Sequence, residues 1–235
     1  MENILLPSTI EFKETDIKHT AQVVVTPCHY GYGTTIGNAL RRVLLSSLPG
    51  AAVESIKING VQHEFSAIEG VQEDLIEIIL NMKQLAVKSH ADDTIKLTLS
   101  KKAIGPVTAA DFEKNSDIEI ANPELVICNL TSNKKAFDME ITIGKGRGFV
   151  AASEKDTLHY DLGTIAIDSL YSPIRDVGYN VDLTRVGDVT DYEKLTVTVT
   201  TNGTITPKQA IGQSTKILMD HFSLLLDLAG DGSVE

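Results

Sequence analysis

The chain has 235 residues, 42% hydrophobic and 23% charged, a globular composition that argues against wholesale disorder. Its 21 Lys and Arg against 32 Asp and Glu give a net charge of −11, which disfavours broad binding to a phosphate backbone. No apolar run approaches the ~18 residues of a membrane span, and the start, Met1-Glu2-Asn3-Ile4-Leu5-Leu6-Pro7, lacks a secretory pattern.

Cys28 and Cys128 form neither a CxxC pair nor a disulfide framework, so a reducing cytoplasm is the expected compartment. The length fits one large domain or two small ones. In chain order, the β-branched run Ala21-Gln22-Val23-Val24-Val25 predicts a strand that Pro27 ends. After the Gly-punctuated loop Tyr30-Gly31-Tyr32-Gly33, Thr34 or Thr35 can cap a helix to about Leu48, which Pro49-Gly50 stops. Ile56-Lys57-Ile58, Asn59-Gly60 and Val61-Gln62-His63-Glu64-Phe65 read as a hairpin. Val71, Leu75, Ile78, Ile79 and Met82 fall at helical spacing and predict a helix over 68–85, with Glu69, Glu73 and Glu77 on its solvated side.

Strands are predicted over 95–99, 125–130, 137–143 and 195–200, with a loop over 111–117 and a turn at Asn202-Gly203. A last helix starts with Pro207 at its first position, runs to Ala229 and stops at Gly230. Strands and helices do not alternate regularly, so the fold class is α+β with mostly antiparallel sheets.

Two helices carry more apolar surface than one core needs. On a wheel of about 100° per residue, Ile36, Leu40, Val43, Leu44 and Leu48 share one face of the first helix. Asn38, Arg41, Arg42 and Leu45 share the opposite face. Leu45 is either a stray leucine on a solvated face or, with the two arginines, part of a contact patch. In the last helix, Ile211, Thr215, Leu218, Phe222, Leu225 and Ala229 form a heptad-like seam flanked by Ile217, Leu224 and Leu228, with Met219 and Leu226 further round. A helix apolar over most of its circumference is buried on more than one side, by a partner subunit or within a larger core.

Catalytic signals are weak. The six histidines are scattered, with no HExxH motif, GxSxG elbow or Walker loop. Gly31-Tyr32-Gly33-Thr34-Thr35-Ile36-Gly37 is GxGxxxG rather than the dinucleotide GxGxxG, so a loop that needs glycine dihedrals is favoured over a cofactor site. Gly144-Lys145-Gly146-Arg147-Gly148 reads as a solvated turn.

The run Gly33-Thr34-Thr35-Ile36-Gly37-Asn38-Ala39-Leu40-Arg41-Arg42-Val43-Leu44-Leu45-Ser46-Ser47 resembles the signature of the bacterial RNA polymerase alpha subunit. Glu69-Gly70-Val71-Gln72-Glu73-Asp74, Gly105-Pro106-Val107-Thr108-Ala109-Ala110-Asp111 and Gly146-Arg147-Gly148 follow in family order. So do Tyr171-Ser172-Pro173, Thr184-Arg185-Val186-Gly187 and Thr201-Asn202-Gly203-Thr204-Ile205, so the resemblance covers nearly the whole chain.

The resemblance implies the alpha N-terminal domain, a non-catalytic platform of DNA-directed RNA polymerase that dimerises and receives the beta and beta-prime subunits. It implies a discontinuous dimerisation subdomain over 1–50 plus 174–230 and an inserted, mainly antiparallel α/β subdomain over 51–173. Residues 231–235 would begin a linker to an absent C-terminal domain, through which promoter DNA and activators are met. The beta-binding residues would be Arg42 and Leu45, with Asn38 and Arg41 beside them. The dimer seam would set Tyr32, Ile36, Leu40 and Val43 against Leu218, Phe222 and Leu225, and no cofactor or metal is implied on this chain.

Some positions depart from the family pattern. Thr34 stands where His is common, and Ala151 where proline follows the Gly-Arg-Gly turn. Asp176 and Asp188-Val189 stand where basic or Gln-Arg residues are usual. With Arg175 they are the candidate beta-prime-facing residues, and their charge leaves open a dimer with an identical copy or with a second, different alpha.

Overall fold

A computed structural model describes residues 4–157, 160–187 and 189–228, with the backbone alone of Val189, Asp227 and Leu228. In chain order its elements begin with β1 (Thr9–Glu14), β2 (Thr20–Cys28), α1 (Tyr32–Ser46), β3 (Pro49–Ile58), α2 (Leu75–Met82) and β4 (Val87–Ser89). There follow β5 (Ile95–Lys101), β6 (Gly105–Thr108), β7 (Ile118–Ile120), β8 (Val126–Leu130), β9 (Phe137–Arg147) and β10 (Phe149–Val150). The chain ends with β11 (Thr164–Ala166), β12 (Ser169–Leu170), β13 (Ile174–Val186), β14 (Val189–Thr201) and α3 (Pro207–Leu228). The fold class is α+β, and among the described residues every strand pair is antiparallel.

Two compact units divide the chain. One joins the residues up to Leu48 to those from Ile174 onward, and the other is Pro49–Pro173. Pro49 and Gly50 thus open the second unit as the first residues of β3, where the sequence reading placed them at the end of the first.

In the first unit the sheet order is β1-β2-β14-β13. The row Phe12, Val23, Val197, Tyr179 crosses all four strands. On this face Leu195, Val197 and Val199 join Val177, Leu44, Leu48 and Ala210 in one core, so α1 and α3 cover the sheet. The alternation Val177, Tyr179, Val181, Leu183 carried the signal for β13, which the sequence reading passed over.

Pro27 does not end its strand. It lies beyond the last β1 pair, Thr9 with Thr26, and at a register slip where β14 steps from Glu193, opposite Cys28, to Leu195, opposite Val25. No ladder bond is asked of its missing N–H there.

The second unit is built on a six-stranded sheet of order β5-β9-β3-β4-β7, with β11 also paired to β3. Ile56, Ile58, Leu97, Leu99, Ile141 and Ile143 pack with Leu75, Ile78 and Met82 of α2. Its two ends meet: a Cβ on Gly50 would overlap the Tyr171 carbonyl and lie 3.3 Å from Pro173 Cδ.

Three expectations in this unit fail for physical reasons. Helix α2 has 8 residues rather than the span 68–85, because Gly70 sits at φ +86° and Asp74 caps the helix by accepting from the Glu77 N–H at 2.8 Å. Gly60, at φ +85°, makes the expected turn, but 61–65 does not return as a strand, since β9, β4 and β11 fill the pairing positions along β3. Gly144-Lys145-Gly146-Arg147 is the end of β9, paired with β3, and no solvated turn. Its glycines leave room for overlying side chains: a Cβ on Gly146 would come within 2.8 Å of the Tyr171 ring, and one on Gly144 would overlap the Glu54 carboxylate.

Glu73 likewise leaves the solvated role assigned to it. Its carboxylate accepts from Asn129 N–H at 2.7 Å and from Asn129 Nδ2 at 2.6 Å, tying the approach to α2 onto β8. Burial opposes its ionisation, but the two Asn129 donors outweigh it and hold the carboxyl below its ordinary 4.5. A depressed folded-state pKa means stability that is present above 4.5 and lost as pH falls through the folded value. Wild type should therefore exceed Glu73→Gln in urea midpoint at pH 7, and the gap should close below pH 4.5, checked by denaturation series across pH.

Candidate protein interface

Helix α1 starts at Gly31, which at φ +83° takes the left-handed conformation at its N-cap and offers no capping side chain. Neither Thr34 nor Thr35 is the cap. Both lie inside the helix, and the Thr35 hydroxyl donates back to the Gly31 carbonyl at 3.1 Å. The N–H groups of Gly31 and Gly33 instead donate to the two carboxylate oxygens of Glu193 on β14, each at 2.9 Å. An anion at a helix N-terminus satisfies orphan donors and meets the positive end of the macrodipole.

Gly33 and Gly37 lie one turn apart on the face that meets the sheet. A Cβ on Gly33 would stand 2.8 Å from Glu193 Oε2 and 3.0 Å from Val181 Cγ1. On Gly37 it would stand 2.7 Å from the Tyr179 ring and 2.9 Å from Leu195 Cδ1. Glycine here serves close approach of helix to sheet rather than an unusual dihedral, apart from Gly31. The amides that a bound phosphate would use are already taken by Glu193.

This docking fixes the other faces of α1. Leu44 is fully buried, while Ile36, Leu40 and Val43 are half-buried and Tyr32 is 43% exposed. Asn38, Arg42 and Leu45 face solvent, Leu45 at 37%. Arg41 borders the sheet, where its Nε donates to the Val177 carbonyl at 3.1 Å, so it braces the helix beside the other three.

Helix α3 opens on a capping box. The Gln209 N–H donates to Thr206 Oγ1 at 3.2 Å, the Thr206 N–H donates to Gln209 Oε1 at 3.0 Å, and Pro207 takes the first helical position. Its first half is anchored, with Ala210 and Ser214 buried and Ile211, Ile217 and Leu218 half-buried. From Met219 to Leu226 every residue is exposed. Met219, Phe222, Leu224, Leu225 and Leu226 are between 58% and 74% exposed. These are spaced around the helix rather than along one stripe.

The structure brings α1 and α3 together, so the residues named for a dimer seam share one side of the first unit. Arg175 and Asp176 are exposed at the start of β13, at a register irregularity. Asp188, like 231–235, lies outside the described residues, and Val189 is described by its backbone in β14. Sequence reasoning missed Glu193, whose partners are 160 and 162 residues away. It also missed Leu183, exposed near the end of β13.

Among the described residues no three His, Cys, Asp or Glu side chains come together as a metal site, and no helix is long and apolar enough to cross a membrane. Burial pushes the Cys128 thiol up to about 12, helped by the Glu73 charge, and burial likewise raises Cys28, so neither is a nucleophile at neutral pH.

A known family covers the second unit: the one described as RNA polymerase Rpb3/RpoA insert domain matches residues 56–172. Over 220 residues the chain is 49% identical to the DNA-directed RNA polymerase subunit alpha of Desulforamulus reducens, covering 93% of this chain and 70% of that protein. The chain belongs to the alpha-subunit family of DNA-directed RNA polymerase. The alpha subunit of Alkaliphilus metalliredigens is 45% identical over 97% of this chain and 72% of its own length. That of Clostridium kluyveri is 49% identical over 87% of this chain and 65% of its own length. Family membership makes the chain a subunit of a transcription complex that assembles with other polymerase subunits.

The glycine contacts under α1 carry a direct consequence. Gly37→Ala should lower stability by about 1–3 kcal/mol through overpacking against Tyr179 and Leu195, although alanine is the better helix former. Thermal unfolding of the two proteins checks the sign.

Proposed function

We propose that this chain is a non-catalytic assembly subunit of a bacterial DNA-directed RNA polymerase. It self-associates through α1 and α3 and presents a platform to the beta and beta-prime subunits. The observation that carries the reading is the last part of α3, where five large apolar side chains stand in water. Burying each is worth about 1.5–3 kcal/mol. In a two-fold interface every contact is made twice, enough to offset the roughly 4–15 kcal/mol that association costs. The half-buried strip Tyr32, Ile36, Leu40 and Val43 meets Leu218, Phe222 and Leu225 in that seam. The partner copy is an identical chain or a second, different alpha.

Arg42 and Leu45, with Asn38 beside them, form the beta-binding patch. Arg42 has the fork geometry for a partner carboxylate, and Leu45 fills an adjacent pocket. Arg175, Asp176, Asp188 and Val189 are the candidates for beta-prime. Phosphodiester chemistry and its metal ions belong to the large subunits, no cofactor is held here, and the compartment is the cytoplasm. A nucleotide-cofactor enzyme is the rival from another class. Against it stands the Glu193 carboxylate, which occupies the Gly31 and Gly33 amides and adds a repelling charge. A titration with nicotinamide and adenine nucleotides separates the two readings, and binding there would sink the scaffold reading of that loop.

Two variant sets test the proposal. Phe222→Glu with Leu225→Glu should convert a dimer to a monomer in light scattering and leave that monomer folded by circular dichroism, since both side chains are exposed in the single chain. Arg42→Ala and Leu45→Ala should each leave the dimer intact and weaken beta capture at least about tenfold, in the range of an interface hot spot. Normal co-purification of beta with both would exclude the patch.

A further inference from the structure

Helix α1 has no cap of its own and no acidic residue in its first turn. Its N-terminal charge comes from Glu193, 7% exposed, whose two oxygens divide between the Gly31 and Gly33 amides. The neighbouring residue holds the same turn by another means. The His29 ring stands edge-on to Tyr32 at 5.9 Å and to Tyr192 at 6.5 Å. Two consecutive residues of β14 thus grip the start of α1, one through a carboxylate and one through rings. They lie at the slip in the β2–β14 register, where Thr26 and Pro27 stand against Lys194 alone, a kind of irregularity that re-aims side chains.

We infer that Glu193 is a positioning residue for self-association. It fixes where α1 begins and therefore where Tyr32 and Ile36, in the first two turns, stand for the partner copy. The inference rests on the reading that this strip belongs to the dimer seam. Glutamine at this position keeps the shape but has one acceptor oxygen and no charge, so one amide loses its partner and the helix end loses its counter-charge. The first turn then frays, and Tyr32 goes with it.

The test uses the whole chain and four variants. Glu193→Gln removes the charge. Gly33→Ala leaves the charge but sets a Cβ 2.8 Å from Glu193 Oε2, which dislodges the carboxylate. The double variant joins them. Val199→Ala trims the same core at the other end of β14 and serves as a control for lost stability. Sedimentation equilibrium reads the dimer, and amide hydrogen exchange reads Gly33, Thr34 and Thr35.

Glu193→Gln and Gly33→Ala should each weaken the dimer about tenfold and speed exchange in that turn by at least as much. The double variant should be no worse than the worse single one, because both break the same contact. Val199→Ala should leave both readouts near wild type. Unchanged association in Glu193→Gln, or additive effects in the double variant, overturns the inference. A wild-type chain that stays monomeric overturns the self-association reading instead, and the exchange data then decide the cap on their own.

Discussion

The closeness of α1 to its sheet is the constraint on which the rest depends. Side chains usually hold a helix off the sheet it covers, but Gly33 and Gly37 remove that spacer at two successive turns, against Val181, Tyr179 and Leu195. Once the helix is pressed down on that line, its remaining faces have no freedom. Arg41 falls at the sheet margin and finds the Val177 carbonyl. Arg42 and Leu45 point away, and Ile36, Leu40 and Val43 form a half-covered strip. The polar and apolar faces of one helix are thereby turned toward different surroundings by how closely it docks on the sheet.

The acidic character of the chain fits this arrangement. A net charge of −11 disfavours long-range attraction to DNA, and the two most informative surfaces are an Arg–Leu patch and an apolar helix end. Both are features of protein recognition. The buried thiols, with pKa values raised by burial, point the same way: they are packing groups.

How much of this was legible in the sequence follows the range of each interaction. The strands around Leu97, Ile127, Ile141 and Val197 show in local alternation, and the start of α3 in Pro207. The exposure of Arg42 and Leu45 follows from the wheel, because helical geometry is local. The apolar girth of α3 was visible too, though not that its first half is covered within the chain and its second half is not. Interactions between distant positions were invisible. Nothing near Glu193 marks it as the cap of a helix 160 residues earlier, and Glu73 looked solvated because Asn129 is 56 residues away. Gly70 and the glycines of β9 were misread for a related reason. A glycine announces that something unusual happens, and only the tertiary neighbour says whether that is a dihedral or a close approach.

The meeting of Gly50 with Tyr171 and Pro173 has a consequence for how the chain is made. β2 pairs with β14, so the first unit cannot close until Thr201 has left the ribosome. Left as a flexible loop, the intervening chain would impose an entropy penalty that rises with the logarithm of its length. Domains fold as units during synthesis, and Pro49–Pro173 emerges in full before β13 does. When it folds, Gly50 and Pro173 are brought side by side, and a gap of more than a hundred residues shrinks to a short bridge. With Gly50 and Pro173 side by side, joining Leu48 to Ile174 no longer costs the loop-closure entropy of the intervening length, and β2 and β14 pair across a short gap.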